Sequence, residues 1–467
     1  MSAATESRTA YLSNFARLEQ KLEQKLAHEP HEPHGPHGHG HGDAWFHRVR
    51  KEAIGRFAEL GFPTTKLEEW KFTNVDPIAR MPFHSADFRA DGLPSELLSE
   101  LPLAHAAFEQ RCSRIVFVNG HYNPQLSSRE LPDKLIASSL ASAIKHDVPT
   151  VREHLARHAS FQNEAFVALN TAFLEDGAFI EVPRGVRLEA PIYLLFVSTP
   201  DEPIASHPRI LIIIGDDSQA SIVEDYLAIG DGAYFTNAVT EIIVGENSSI
   251  EHYKLQDENQ EAFHVATVQV HQARSSIFTH HSISFGGALV RNDVNVALDG
   301  EGAECTLNGL YVAAHKQHVD NHTVIDHIKP HCNSRETYKG ILDDKASAVF
   351  NGSIIVRKDA QKTDARQSNK NLLLSEGATI NSKPQLEINA DDVKCSHGTT
   401  IGHLDEDSVY YLRARGIDEK EARSVLTYGF ANDVLNKMKL DAVRVRLECV
   451  LLARMSGGHA QLEVEGQ

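Results

Sequence analysis

Four segments decide how this chain folds: GDDSQASIV (residues 215–223), GENSSIEHY (245–253), QARSSIFTH (272–280) and GEGAECTLN (300–308). Each opens on small or acidic turn residues and runs into a short apolar stretch. Aligned on those stretches, Ile222, Ile250, Ile277 and Cys305 take equivalent slots at steps of 28, 27 and 28 residues. A period that steady predicts stacked coils, each exposing an apolar face that only its neighbour can cover. DDKASAVFNG (343–352) and SEGATINSKP (375–384) continue the texture at wider spacing. The expected fold class is mainly β, with a parallel β-helix core flanked by N-terminal and C-terminal helical regions.

From about Gly177, short runs of Ile, Val, Phe and Thr between Gly, Asp, Asn and Ser clusters signal many short strands. Residues 1–165 read instead as mainly helical, with Leu12, Phe15, Leu18 and Leu22 near helical spacing. A His-rich insertion, HEPHEPHGPHGHGH (28–41), interrupts them with a composition that builds neither core nor helix. Helical pattern returns at Trp45–Leu60 and stops at Gly61-Phe62-Pro63. Beyond Gly416, Asp418 and Glu421 form a capping pair ahead of a stripe through Ala422, Val425, Leu426, Val434, Leu435 and Met438. Val443, Leu447, Val450 and Leu451 mark a second helix. Three regions follow: 1–165, the coiled core at 166–405, and a helical domain at 406–467. The helical regions are expected to cap the ends of the stack.

Composition narrows the function. With 64 acidic against 46 basic residues the net charge is −18, which repels phosphate backbones and anionic lipid, so neither nucleic acid nor membrane is an expected partner. The N-terminal residues lack a signal or transit pattern, and five scattered cysteines fit a reducing compartment, so a cytoplasmic location is expected. There is no GxxxxGK[ST] phosphate loop, GxSxG elbow or HExxH helix. Asp343-Asp344 and Asp391-Asp392 are adjacent on strands and point to opposite faces, which disfavours a polysaccharide-cleaving β-helix enzyme.

The segment ADDVKCSHG (390–398) carries the clearest chemistry. On a strand, Cys395 and His397 project from the same side, about 7 Å apart, with Ser396 turned away. Thiolate and imidazole suit zinc or an iron–sulfur cluster, yet either metal centre wants about four ligands, so this pair is half a site. The competing reading makes Cys395 an inward packing residue and His397 a hydrogen-bonded one. His28, His31, His34, His37, His39 and His41 are weak candidate ligands for zinc, nickel or copper, and would carry a metal store or metal chaperone. His315, His318, His322 and His327 are read as turn or core residues.

From HVDNHTVIDH (318–327) through AQKTDARQSNKNLLLS and SKPQLEINADDVKCSHGTTIG to YYLRARGI, about 100 residues, the chain resembles the SufB/SufD family of iron–sulfur cluster assembly proteins. TKLEEWKFTN (65–74) and CSHGTT (395–400) resemble its SufD branch; the SufB branch typically carries EHEA where His397-Gly398 stands. The resemblance implies a right-handed parallel β-helix acting as a non-catalytic scaffold. Its implied partners are a SufB-like subunit and a SufC-like ABC ATPase, with a homodimer as a further possibility. It further implies a transient iron–sulfur cluster shared with the partner subunit, with Cys395 and His397 as its ligands here. Docking of the ATPase would fall on the helix bearing Ala422, Val425, Leu426, Phe430, Val434 and Leu435.

Overall fold

The first strands are β1 (His84–Ser85), β2 (Ser113–Val118), β3 (His121–Tyr122), β4 (Ile136–Ser139), β5 (Gly177–Val182), β6 (Ile192–Ser198), β7 (Ile204–Ser206) and β8 (Arg209–Ile214). The regular coils then run through β9 (Gln219–Ala228), β10 (Tyr234–Val244), β11 (Ser249–Glu258), β12 (Phe263–Gln272), β13 (Ile277–Gly286), β14 (Leu289–Leu298) and β15 (Glu304–Ala313). They end with β16 (His318–His327), β17 (Asn333–Leu342), β18 (Ser347–Val356), β19 (Asp364–Leu373), β20 (Thr379–Ile388) and β21 (Lys394–Gly402). The helices are α1 (residues 11–20), α2 (Gly42–Leu60), α3 (Asp76–Arg80), α4 (Leu140–Lys145), α5 (Pro149–His154), α6 (Ala165–Phe173), α7 (Glu406–Arg413), α8 (Glu419–Leu435) and α9 (Asp441–Ser456). This computed structural model describes residues 11–20, 42–85, 112–129, 131–132, 134–200 and 202–456.

From β8 onward successive strands alternate between two sheets. One runs β4-β5-β8-β10-β12-β14-β16-β18-β20 and the other β3-β2-β6-β9-β11-β13-β15-β17-β19-β21. From β8 and β9 onward every pairing within these two ladders is parallel. This is the expected parallel β-helix, one strand of each sheet per coil.

The register corrects the slots expected from the sequence. The column is Ala220, Ile250, Phe278, Cys305, Ser334, Ala365 and Cys395. Ile222 therefore belongs two places further along, opposite His252, and Ile277 points outward, 42% exposed. Aligning on isoleucine failed because coil length is not constant: neighbours in this column lie 27 to 31 residues apart. A one-residue slip turns a side chain to the opposite face. What stays fixed is the turn. Asp217, Asn247, Ser275, Gly302, His331 and Lys362 all have positive φ, and each donates its backbone N–H to the corresponding turn of the next coil. Small or polar residues tolerate that left-handed geometry best, hence the acidic and small punctuation seen in the sequence.

Inside, the cross-section is narrow enough that bulky and absent side chains interlock. Gly309 lies opposite Tyr338 and Tyr311 opposite Gly340, and a Cβ on either glycine would overlap the facing ring. The interior also holds charge. Glu224 accepts hydrogen bonds from Tyr226 (2.9 Å) and Thr240 (2.8 Å) and meets His252 at 3.0 Å. Lys254 is wholly buried against His264 (2.9 Å), and burial lowers its pKa to about 8.

The expected capping by helices holds for neither end. At the N-terminal end the antiparallel strands β3 and β4 finish the two sheets. The C-terminal helices lie along the outer face of the odd-numbered sheet, where Ala431, Val434, Leu435, Val443, Leu447 and Leu451 pack on Val223, Tyr253, Leu255, Ile283, Leu310 and Ile341. The physical reason is pleat alternation: those outward strand positions are apolar, and a helix stripe is needed there more than at the stack's end. Helices α1, α2 and α6 similarly cover Phe235, Val239 and Val265 of the other sheet. Residues 113–139, expected within a mainly helical region, supply β2 to β4. Gly61, with φ 65°, ends α2, and Asp418 caps α8 by accepting from the Glu421 N–H at 2.9 Å, both as the sequence indicates. Among the described residues no helix is long and apolar enough to cross a membrane.

Candidate functional site

The last coil has a neighbour on one side only. β20 pairs with β18 and β21 with β19, and both outer edges carry free backbone donors and acceptors. Side chains that would be sealed in any earlier coil are uncovered here: Ile388 is 42% and Ile401 50% exposed. Open strand edges flanking an apolar mouth form a template for another chain.

Cys395 and His397 stand in this coil on the same, inward-facing side of β21, opposite Ala365 and Gln367 of β19. Cys395 is half-buried against the end of the core cluster, and His397 is exposed. By column Cys395 is an inward packing residue, yet it reaches solvent because the column ends with it. Burial pushes its thiol above the ordinary value, while a hydrogen bond from the Ala365 backbone pulls the other way. The thiol is therefore protonated near neutrality, and binding a metal would release that proton.

Behind the pair lies a polar floor that the sequence did not single out. Asn369 Oδ1 accepts from Asn371 (2.6 Å), Ser382 (2.8 Å) and Thr399 (3.4 Å), and Thr399 also donates to Ser382 at 2.9 Å. Gln367 donates to the buried Glu336 at 2.7 Å, and burial raises the Glu336 pKa to about 7. The true 27–31-residue column would have revealed these residues, since Glu336, Gln367 and His397 occupy one register position.

The other expected site residues divide. Val434 and Leu435 are buried in the solenoid-facing side of α8, Ala422 is buried too, Leu426 and Phe430 are half-buried, and Val425 is 48% exposed. Phe430 lies under the Lys339 ammonium, 4.4 Å from the ring centroid. Besides Val425, the large apolar residues exposed on these helices are Tyr410 (73%), Tyr411, Val445 and Leu452, none of which the helical stripe had marked. His28, His31, His34, His37, His39 and His41 lie outside the described residues. His318 contacts Thr73 (2.9 Å) and Ser347 (2.7 Å), His322 pairs with Asp320 (3.0 Å), His327 with Ser334 (2.9 Å) and the exposed His315 with Asp344 (3.1 Å). Among the described residues no group of three or more His, Cys, Asp or Glu side chains stands ready to hold a metal.

Comparison with known proteins places this geometry. Residues 196–430 match the SufBD core domain of the SUF system for FeS cluster assembly, and residues 39–194 match the SufBD protein N-terminal region. An iron–sulfur cluster assembly SufBD family protein of Synechocystis is 35% identical, over 86% of this chain and 89% of its own. The iron–sulfur cluster assembly protein SufD of Escherichia coli is 32% identical, over 87% and 93% respectively. SufD of Bacillus subtilis is 26% identical over 87% and 93%. The chain belongs to the SufBD family of iron–sulfur cluster assembly proteins, with relatives named SufD among those most similar to it.

Proposed function

We propose that this protein is a non-catalytic scaffold whose open β-helix end pairs with a SufB-type subunit, so that a nascent cluster is built at the seam. The observation that carries the reading is the uncapped last coil, which brings Cys395, His397, two free strand edges and the exposed Ile388 and Ile401 to one place. Two ligands from this chain leave the remaining cluster positions to the partner. The cluster is cargo here, held only while the seam is complete. A SufC-type ATPase docks on the C-terminal helices through Tyr410, Tyr411 and Val425 and supplies the nucleotide chemistry that this chain lacks. Its nucleotide-driven movement shifts the seam and exposes the cluster. The work belongs in the cytoplasm, where thiols stay reduced.

The test uses the purified complex of this chain with its SufB-type and SufC-type partners. Cys395→Ala with His397→Ala should leave the complex intact on gel filtration and sharply reduce the cluster formed from iron, sulfide and reductant. Unchanged cluster yield removes the pair from the mechanism. Ile401→Lys should instead prevent pairing, and a variant that still assembles fully would show that the partner seats elsewhere. Self-association of the isolated chain that Ile401→Lys abolishes would mean that a second copy uses the same edge.

A further inference from the structure

Away from the open end, four side chains that no part of the scaffold reading uses converge on the flank of the even-numbered sheet. His154 ends α5, and His158 follows in the loop after it. His154 Nδ1 lies 3.1 Å from His158 Nε2. The His158 ring centroid is 5.8 Å from that of His271 on β12, and His271 Nε2 meets Asp299 at 3.2 Å. The loop bearing His158 is not loose. The buried Glu241 carboxylate accepts the backbone N–H groups of Ala156, His158 and Ala159, each at 2.9 Å, and is itself paired with the buried Arg209. A fixed loop therefore presents two imidazoles to a third that comes from the sheet.

We propose that His154, His158 and His271 form a binding site for a divalent transition-metal ion of the zinc type, with Asp299 orienting His271. Two nitrogens 3.1 Å apart can both lie at a zinc–imidazole distance of about 2.0–2.1 Å, with an N–metal–N angle near 100°, roughly 10° tighter than tetrahedral. Asp299 holds the Nε2 side of His271, which leaves Nδ1 for the ion; a carboxylate behind a ligating histidine is the usual supporting arrangement. In the present side-chain positions the third nitrogen is not yet in range, in keeping with the absence of a ready-made three-ligand group among the described residues. Completing the set requires a rotation of His271, whose side chain is 39% exposed, and leaves the fourth position to water. The ion would tie the N-terminal helical region to the solenoid wall.

The full-length chain is used, with the six histidines of residues 28–41 changed to asparagine so that only this site is read. Titration with Zn²⁺ should show one equivalent bound, and Co²⁺ should give the visible absorption of a four-coordinate nitrogen and oxygen site. His158→Gln and His271→Gln should each weaken Zn²⁺ binding at least tenfold, and Asp299→Asn by a smaller factor. The thermal midpoint should rise with Zn²⁺ in the parent chain and stay still in His158→Gln. No binding at millimolar Zn²⁺, or an affinity indifferent to both glutamine variants, overturns the proposal. If His158→Gln fails to fold, His271→Gln on the sheet surface decides alone.

Discussion

Arg446 of α9 fastens the C-terminal helices to the solenoid through a buried ion pair. Its guanidinium contacts both oxygens of Asp225, one at 3.3 Å and the other closer, and donates to Tyr193 Oη at 3.1 Å. The Asp225 side chain is wholly buried and that of Arg446 is 6% exposed. Arg446→Met keeps most of the stem's volume but leaves Asp225 buried opposite an apolar group. Stranding one partner of a buried pair costs about 3–5 kcal/mol; the Tyr193 hydroxyl still donates to Asp225, which favours the lower figure. Because the pair joins helix to sheet, the loss falls on local opening of α8 and α9, while the coils stay folded. An opening penalty reduced by about 3 kcal/mol raises amide exchange in these helices roughly a hundredfold. Exchange measured by mass spectrometry should show this in α8 and α9 and little change in β11 to β19. Asp225→Asn with Arg446→Met should recover much of the loss, since no charge is then stranded. Exchange within about threefold of the parent, or a double variant as labile as the single one, refutes the reasoning.

Three further outcomes follow from the same structure. Burial opposes protonation of His322, but Asp320 and Glu69 outweigh it and raise its pKa to about 9. Because that lies above the ordinary value of 6.5, the stabilisation is complete below about pH 6.5 and disappears as pH rises through about 9. Urea unfolding should therefore show stability falling by up to about 3 kcal/mol across this window, and His322→Gln should flatten the profile. Glu336 behaves oppositely as a buried acid whose pKa is raised from 4.5 to about 7: stability falls as pH rises from about 4.5 and the loss is complete above about 7, so Glu336→Gln should stabilise by about 1–3 kcal/mol at pH 8 and gain nothing at pH 4. Gly309→Ala places a methyl within the Tyr338 ring and should cost about 1–3 kcal/mol in the same assay, whereas Gly398→Ala, with open space around it, should cost little.

The sequence alone disclosed the stacked coils, because each coil needs a tight turn and tight turns accept few residue types; GDDSQ and GENSS announced two of them before any coordinate was known. It also placed Cys395 and His397 on one side of a strand, since the two-residue pleat is a property of local backbone geometry. Which coil neighbours which residue was beyond it. Ile222 and Ile277 looked equivalent by spacing, yet coil lengths vary, and only the hydrogen-bonded ladder sets the register. Likewise the stripe through Val434 and Leu435 marked a helix face without saying what covers it; those residues meet the odd-numbered sheet, while Tyr410 and Tyr411 are left outside. Most of all, only the tertiary structure decided that the stack ends uncovered at β20 and β21. Whether a thiol is sealed or offered depends on the coil beyond it, and no local pattern in the chain records that this coil is missing.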